Sequence, residues 1–450
     1  MDRSSDANAP RPSSSARPPG RFRLFDLRPG EFALVAWSCA YFFFVLSSYY
    51  CIRPVRDAFG LSGDDTELRW LFRTTLVVMI AVNPAFSWLV ARFPRRVFIP
   101  ASYLFFAANL LVFFLLFAAT REGEAVAVRR IFYVWVSVFN LFVVSVFWAF
   151  MADLFSVEQS KRLYGLIAVG GTMGAVIGAG FPWLLAERLG AIIMLPISIT
   201  LLLLACLCML RLNRLSMRRR ATSSAAGAGD ADADAPQPPD RAIGGSPLAG
   251  VTHFLRSPYL LGIGAFILFY TVLSTLLYFV QADIVREAFD DRAARTAFFG
   301  KVDVFVNTLT ALIQIFLTGR IMRTFGVGLT LGLLPVVYLI GFSALALAMA
   351  PATAGLLSAL NVIVMFQVGR RAANYALARP ARESLFTVVK REEKYKAKNL
   401  IDTFVYRAGD AIGTIPLSWL AIPLAVVWFV LSLGLGRRQR QLSAARQTTG

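Results

Sequence analysis

Two adjacent arginines, Arg370 and Arg371, sit with Gln367 and Asn374 inside a segment otherwise apolar enough to cross a bilayer. An ionisable side chain at the bilayer centre costs about 2.5–3.5 kcal/mol on insertion scales, so it normally faces protein or water. Arginine's planar fork makes paired, charge-assisted hydrogen bonds to phosphate or carboxylate, which points to an anionic ligand. Arg370 lies ten residues before Pro380, about 15 Å along a helix, so snorkelling to the nearer interface is the alternative for one of the pair. A second group, Arg53, Arg56 and Asp57, lies in SYYCIRPVRDAFG at the end of the first apolar segment, and Arg73 follows. A third, Asp303, Asn307, Thr310 and Gln314, recurs at i, i+4, i+7 and i+11 and so lines one helix face, with Lys301 near its end. Tyr270, Thr271, Ser274, Tyr278 and Gln281 share a helix face in the same way, as a cavity lining or as a packing stripe. Asp402, Arg407 and Asp410 lie close together further on, where Arg407 and Asp410 form an i,i+3 pair that can neutralise itself. Asp153 caps a loop near Lys161 and Arg162 or couples transport to protons.

Other chemistries find little support. The chain has one histidine, His253, and four cysteines, Cys39, Cys51, Cys206 and Cys208, all in or beside apolar segments. That leaves no triad, no multi-histidine metal site and no disulfide framework, and no cofactor is expected. The formal charge of +19 comes from basic residues that flank apolar segments instead of forming one patch, so it reads as membrane topology and not as nucleic-acid binding.

The elements that must position these side chains are long apolar helices. With 57% hydrophobic residues and long windows free of charge, the 450-residue chain reads as an all-α polytopic membrane protein. Windows of about 20 apolar residues predict spans at 31–52, 69–91, 97–119, 131–154, 162–186 and 190–211, then 258–281, 298–318, 326–350, 354–378, 399–417 and 418–436. Most of the 46 Lys and Arg residues fall in the tails and inner loops when both termini are cytoplasmic. The densest cluster, REEKYKAK, lies on that side between spans 10 and 11. Residues 1–30 lack the apolar core of a signal peptide and are expected to be a disordered cytoplasmic tail, with the first span an uncleaved anchor. Residues 31–212 form a first six-helix bundle, 213–250 a flexible cytoplasmic linker, 251–436 a second bundle and 437–450 a cytoplasmic tail.

The halves resemble each other. VRDAF (Val55 to Phe59) matches VREAF (Val285 to Phe289), and Glu158, Lys161, Gly174, Ile177 and Gly178 match Glu393, Lys396, Gly409, Ile412 and Gly413 at one constant offset. Two matches in order at equivalent positions indicate a 6+6 duplication. The architecture expected is twelve transmembrane helices in two pseudo-symmetric six-helix bundles around a central cavity, the major facilitator type. Gly170, Gly174 and Gly178, at four-residue spacing, predict close helix packing; no GK[ST] follows to suggest a phosphate loop.

Three blocks then resemble the bacterial and plastid ATP/ADP translocase (nucleotide transporter) family, a distant relative within the major facilitator superfamily. YYCIRPVRDAF is similar to that family's first-span block, with Arg53 and Asp57 matching and Arg56 in place of its usual lysine. FWAFMADLF with EQSKRLYGLIAVGGTMGAVIGAG resembles its span 4–5 region. In NYALARPARESLFTVVKREEKYKAKNLIDTFVYRAGDAIG, the residues Tyr375, Pro380, Glu383, Lys394, Lys396, Lys398, Ile401, Asp402, Arg407 and Gly409 match; Arg382 and Asp410 stand where the family has lysine. The blocks cover about a quarter of the chain.

The function expected is a secondary transporter working by alternating access on a small organic anion such as a nucleotide. Arg53, Arg56, Arg73, Lys301, Arg370, Arg371 and Asn374 are the expected substrate-binding residues. Asp57, Asp153, Asp303, Arg382, Glu383, Asp402, Arg407 and Asp410 are expected to gate or couple transport. The chain is expected in a bacterial cytoplasmic membrane as a multi-pass monomer surrounded by lipid. The alternatives are a proton-coupled exporter of another small solute, with Asp153, Asp303 or Asp402 titrating, and a non-transporting scaffold or sensor whose basic 390–398 loop binds lipid or a partner.

Overall fold

A computed structural model of the protein describes residues 31–92, 95–120, 125–225, 254–350, 358–389, 401–415 and 418–449. His253, most of the 213–250 linker, the REEKYKAK loop and the side chains of Glu158, Lys161 and Asp402 lie outside the described residues.

Long apolar segments leave the backbone no water to bond, so they close their own hydrogen bonds as helices. In the first half these are α1 (Phe32–Gly60), α2 (Asp65–Arg92), α3 (Arg95–Ala119), α4 (Val126–Leu154), α5 (Val157–Leu189) and α6 (Met194–Ala225). The second half carries α7 (Pro258–Ala288), α8 (Arg292–Phe316), α9 (Thr318–Ala348) and α10 (Ala359–Ala373). A π-helical turn, Asn374–Ala378, joins α10 to α11 (Arg379–Leu385); a second, Ile401–Val405, opens α12 (Tyr406–Gly413); and α13 (Ala421–Thr449) ends the chain. There is no strand among the described residues.

Polar side chains fix where helices begin. Ser156 and Gln159 form a reciprocal capping box at the start of α5, and Ser257 and Asp291 cap α7 and α8. Several helices outrun their apolar windows. α1 continues past residue 52 through VRDAF to Gly60, α6 continues into the expected linker as far as Ala225, and α13 continues through the expected tail. Span 10 passes Pro380 because the π turn re-phases the helix before it. Inside α9, Gly326 takes a positive φ of 73° and breaks the helical path, a conformation that glycine adopts at little cost.

Among the described residues nine helices are long and apolar enough to cross a bilayer: α1, α3 to α9 and α13. The expected spans over 69–91, 354–378 and 399–417 each fall partly outside the described residues or side chains, and the last two carry π turns within the described part.

Two hydrophobic cores correspond to the two halves, one built on Tyr41, Phe42, Phe139, Phe147 and Leu202, the other on Ile267, Leu277, Tyr338, Phe366 and Trp428. A third, smaller core joins them, with Ala58, Leu61 and Leu68 from the first half against Phe279, Val285, Phe299 and Val302 from the second. The glycines of α5 do what their spacing predicts. A Cβ on Gly170 would come within 2.6 Å of the Cys39 carbonyl oxygen and one on Gly178 within 2.5 Å of that of Ser47, and Gly174 lies against the Phe43 carbonyl. The α1 and α5 backbones therefore touch, and Ser47 donates a 2.9 Å hydrogen bond to the Gly174 carbonyl. Gly409 and Gly413 of α12 repeat this contact against Thr271 and Thr275 of α7.

Candidate functional site

The centre of the molecule is organised by one carboxylate. Asp303 of α8 is buried, 2% exposed, and accepts hydrogen bonds from two arginines on different helices. Arg53 of α1 donates through Nη1 at 2.7 and 2.9 Å to its two oxygens, and Arg371 of α10 donates through Nη1 at 2.6 Å. One aspartate thus ties the two halves together. Asn307, one turn along, donates to the Asp303 carbonyl at 2.9 Å.

Arg370 is placed differently. It is 7% exposed, and its three hydrogen bonds go to neutral partners: the Gln367 side-chain oxygen at 2.8 Å, Ser274 Oγ at 2.8 Å and the Tyr338 hydroxyl at 3.2 Å. Gln367 in turn donates to Gln281. No carboxylate lies within ion-pair distance of Arg370 among the described residues. The Arg371 Nη2 atom is buried and has no hydrogen-bond partner there. Buried cations without a carboxylate are costly, so a protein that keeps one has a use for it.

Arg56 is held by three contacts: its guanidinium lies 4.0 Å from the Tyr133 ring centre, Nε donates to the Tyr133 carbonyl at 3.1 Å, and Nη1 donates to Asp57 at 2.9 Å. Arg407 donates to Asp410 at 3.2 Å, the self-neutralising pair that their spacing allows, and Thr275 donates to the other Asp410 oxygen at 3.3 Å. Asn374 donates to the Tyr270 hydroxyl at 2.9 Å.

Three cavities that share Arg53 in their linings surround these groups. The largest, about 950 Å³, lies between Tyr49, Tyr50 and Arg53 of α1, Asn140 of α4, Asn307, Thr310 and Gln314 of α8, and Tyr375, Arg379, Arg382 and Glu383 at the far end of span 10. A second, about 220 Å³, is lined by Arg53, Arg56, Asp57, Tyr270, Ser274, Tyr278, Gln281, Asp303, Gln367, Arg370, Arg371 and Asp410. A third, about 310 Å³, lies between α1, α2, α4 and α12 and includes Arg53, Arg56, Arg73, Arg407 and Asp410.

The structure therefore brings together Arg53, Arg56, Asp57, Asp303, Arg370 and Arg371, with Asn374, Arg407 and Asp410 beside them. Arg382 and Glu383 line the large cavity 3.6 Å from each other, and exposed Arg73 stands at the rim of the third. Lys301 does not join them. It is exposed and lines none of the three cavities, because two residues from Asp303 is roughly 200° around the helix. Asp153 is exposed at the end of α4 and also stands outside the cavity linings. Arg162 is engaged by Glu31, whose 3% exposed carboxylate accepts from it at 3.0 Å and from Gln159 at 3.1 Å. Thr271 packs against Gly409 instead of facing the cavity with Tyr270 and Ser274.

Sequence reasoning passed over Asn140, Ser137 and Tyr133 of α4 and the pair Tyr49–Tyr50. The signal available for the first three was their i, i+4, i+7 spacing. Among the described residues no group of three His, Cys, Asp or Glu side chains is arranged to hold a metal ion.

At the end carrying the α1–α2 and α7–α8 turns, the halves are joined again. Arg286 and Arg295 both donate to the Leu61 carbonyl, at 3.4 and 3.0 Å. Arg286 also pairs with Asp65 at 2.6 Å, and Arg69 donates to the Thr414 carbonyl. Arg286 belongs to VREAF, so one copy of the repeated sequence reaches across to the turn that follows the other.

Comparison with solved structures shows the fold. A bacterial homologue of the iron transporter ferroportin in an inward-facing state matches with a TM-score of 0.58 at 14% identity, over 90% of this chain and 98% of that one. The inward-open xylose transporter XylE from E. coli matches at 0.56 and 12% identity, over 92% and 95%. The POT family transporter PepTSo matches at 0.58 and 11% identity, over 93% and 99%. These neighbours are of the major facilitator type. No curated protein matches the chain in sequence. The model of the TLC ATP/ADP transporter family matches residues 128–428, well over half of the chain and including Asp303, Arg370, Arg371, Arg407 and Asp410. The chain therefore belongs to the TLC ATP/ADP transporter family, as a multi-pass membrane transporter.

Proposed function

We propose that the protein exchanges an organic anion, with a nucleotide as the first candidate, by alternating access between two six-helix bundles, twelve spans in all. The observation that carries this reading is the charge balance of the central site. Arg53, Arg56, Arg370, Arg371 and Arg407 face Asp57, Asp303 and Asp410 there, an excess of two positive charges in a desolvated place. Arg370 and the free Nη2 of Arg371 supply donors that a phosphate or carboxylate would satisfy.

Such an anion would compete with Asp303 for Arg53 and Arg371. Its arrival would loosen the bridge between the halves and its departure would restore it, so the empty carrier resists reorientation while the loaded one does not. The cavity of about 950 Å³ runs from Arg53 to Arg382 and Glu383, away from the cross-half bonds at Leu61 and Asp65. That arrangement supports an inward-open state in a bacterial cytoplasmic membrane with both termini inside. In transport, the Arg286, Arg295 and Asp65 contacts would form the outer gate, while Arg382 and Glu383 would contribute to the inner one.

The test is uptake into proteoliposomes. Vesicles preloaded with ADP, ATP or inorganic phosphate should take up labelled ATP or ADP by exchange, and Arg370→Gln should abolish it. Absence of exchange with every nucleotide, while another organic phosphate is transported, removes the nucleotide and keeps the anion. Absence of any anion transport overturns the proposal.

A further inference from the structure

The third cavity has features that the central site does not explain. It lies between α2 and α12, below the hydrogen bond from Arg69 to the Thr414 carbonyl. One of its lining residues, Arg73, is also on the exposed face of α2. Trp70, Val77 and Ile80 share that face at helical spacing and are 52%, 65% and 43% exposed, as expected of side chains in contact with acyl chains. On α12 the exposed side chains are likewise apolar, Ala408 and Ile412, and so is Phe404 in the π turn before it. Arg73 is thus a cation at a seam between two lipid-facing helices, with the bilayer on one side and a polar cavity on the other.

Its depth fits a head group better than a chain terminus. Arg73 is eight residues into α2, about 12 Å from the helix start. No acid pairs with it among the described residues, and the cavity behind it adds the hydroxyl of Thr75, which is 8% exposed and has no hydrogen-bond partner there. The only acid lining this cavity, Asp410, is already engaged by Arg407.

The geometry points to a lateral site for an anionic phospholipid at the α2/α12 seam, with its phosphate on Arg73 and its acyl chains along the exposed apolar faces. The ligand chemistry is a phosphoryl anion attached to an apolar tail. The tail distinguishes it from a soluble phosphate, which would gain nothing from Trp70 and Val77. Arg73 lines neither the cavity nearest Asp303 nor the one at the far end of span 10, so the seam is distinguished from the central site by its open lipid-facing side, although the third cavity behind it also reaches Arg53, Arg56, Arg407 and Asp410.

The test uses purified full-length protein in neutral detergent, titrated with dioleoylphosphatidylglycerol, with dioleoylphosphatidylcholine and with inorganic phosphate. Lipid retention is read by native mass spectrometry and melting temperature by nanoscale fluorimetry. Phosphatidylglycerol should be retained and raise the melting temperature, phosphatidylcholine should do so less, and any shift produced by inorganic phosphate should be the same in Arg73→Ala as in wild type. Arg73→Ala should weaken phosphatidylglycerol retention by about fivefold, the effect of one basic residue near an anionic surface. Arg73→Lys should restore most of it, and Arg438→Ala, on the distant end of α13, should leave it unchanged. An Arg73→Ala melting temperature in phosphatidylcholine equal to wild type establishes that the variant is folded. Equal phosphatidylglycerol retention by wild type and Arg73→Ala overturns the proposal. So does a phosphate-induced shift as large as the lipid's that Arg73→Ala removes, since that assigns the seam to a soluble anion.

Discussion

In the first half, α5 runs unbroken from Val157 to Leu189 and its glycines meet the backbone carbonyls of Cys39, Phe43 and Ser47 on α1. In the second, the matching segment is a π turn followed by the short α12, and its glycines meet the side chains of Thr271 and Thr275 together with the backbone carbonyls of Leu268 and Val272 on α7. Span 10 shows the same contrast with α4. Aligning Leu154–Phe155 on Leu385–Phe386 places Asn140, in an unbroken helix, opposite Arg371, in a helix interrupted by Asn374–Ala378. The two halves carry similar packings, and among the described residues most of the central charge and both π turns lie in the second half. Single π turns are frequent at functional sites because they re-aim side chains without ending the helix.

The comparison can be broken most severely at the one residue that joins the halves. Asp303→Ala leaves buried Arg371 without a carboxylate and half-buried Arg53 with only Asp57 at 3.9 Å, and unpairing a buried charge costs about 3–5 kcal/mol. The expected outcome is a large loss of melting temperature in detergent. Arg53→Met combined with Asp303→Met should recover part of it, because the uncompensated charge is smaller.

The glycine contacts sharpen the difference between the copies. Gly174→Ala pushes a Cβ into the Phe43 carbonyl, where the backbone has little room to yield, and overpacking of this kind costs about 1–3 kcal/mol. Gly409→Ala meets the Thr271 side chain but comes only within 3.1 Å of the Leu268 carbonyl, so with less backbone overlap its loss should be the smaller of the two. Gly165→Ala meets nothing within 4 Å and serves as the control. A larger loss for Gly409→Ala than for Gly174→Ala would contradict the contrast drawn between the two packings.

These particulars also show what the sequence made legible. Helical spacing placed Asp303, Asn307 and Thr310 on one buried face and made Arg407 and Asp410 a pair, because both inferences depend only on the periodicity of a single helix. Lys301, expected on the path from its place near the end of that helix, is two residues from Asp303 and points to the opposite, exposed face: nearness along the chain is not nearness around a helix. Asn140, Tyr49 and Tyr50 passed unnoticed, since an asparagine or tyrosine in an apolar helix has the composition of ordinary packing, and only tertiary arrangement makes it a cavity wall. The bond from Arg286 to the Leu61 carbonyl was illegible for a related reason. VRDAF and VREAF were visible as a repeat, but a backbone acceptor in a turn has no sequence signature.

The smallest expected effect is at that end. Arg286→Ala removes a partly exposed pair with Asp65 and one bond to Leu61, worth about 1 kcal/mol or less to stability. Its effect on conformation should exceed its effect on melting temperature. Cysteines placed on either side of the Leu61 turn should become accessible to a membrane-impermeant thiol reagent in Arg286→Ala more readily than in the unchanged background. Equal accessibility in both would remove Arg286 from the gate.

The central claim is that Arg370 is kept as a buried cation in order to meet an anion. It is tested most directly by the melting temperature of the purified full-length protein with ATP, ADP, inorganic phosphate and other organic phosphates, for wild type and Arg370→Gln. A ligand present at about 100 times its dissociation constant stabilises the folded state by about 2.7 kcal/mol. At least one of these anions should therefore raise the wild-type melting temperature, while Arg370→Gln should be at least as stable without ligand and show no anion response. An equal anion-induced shift in Arg370→Gln and wild type would contradict the assignment.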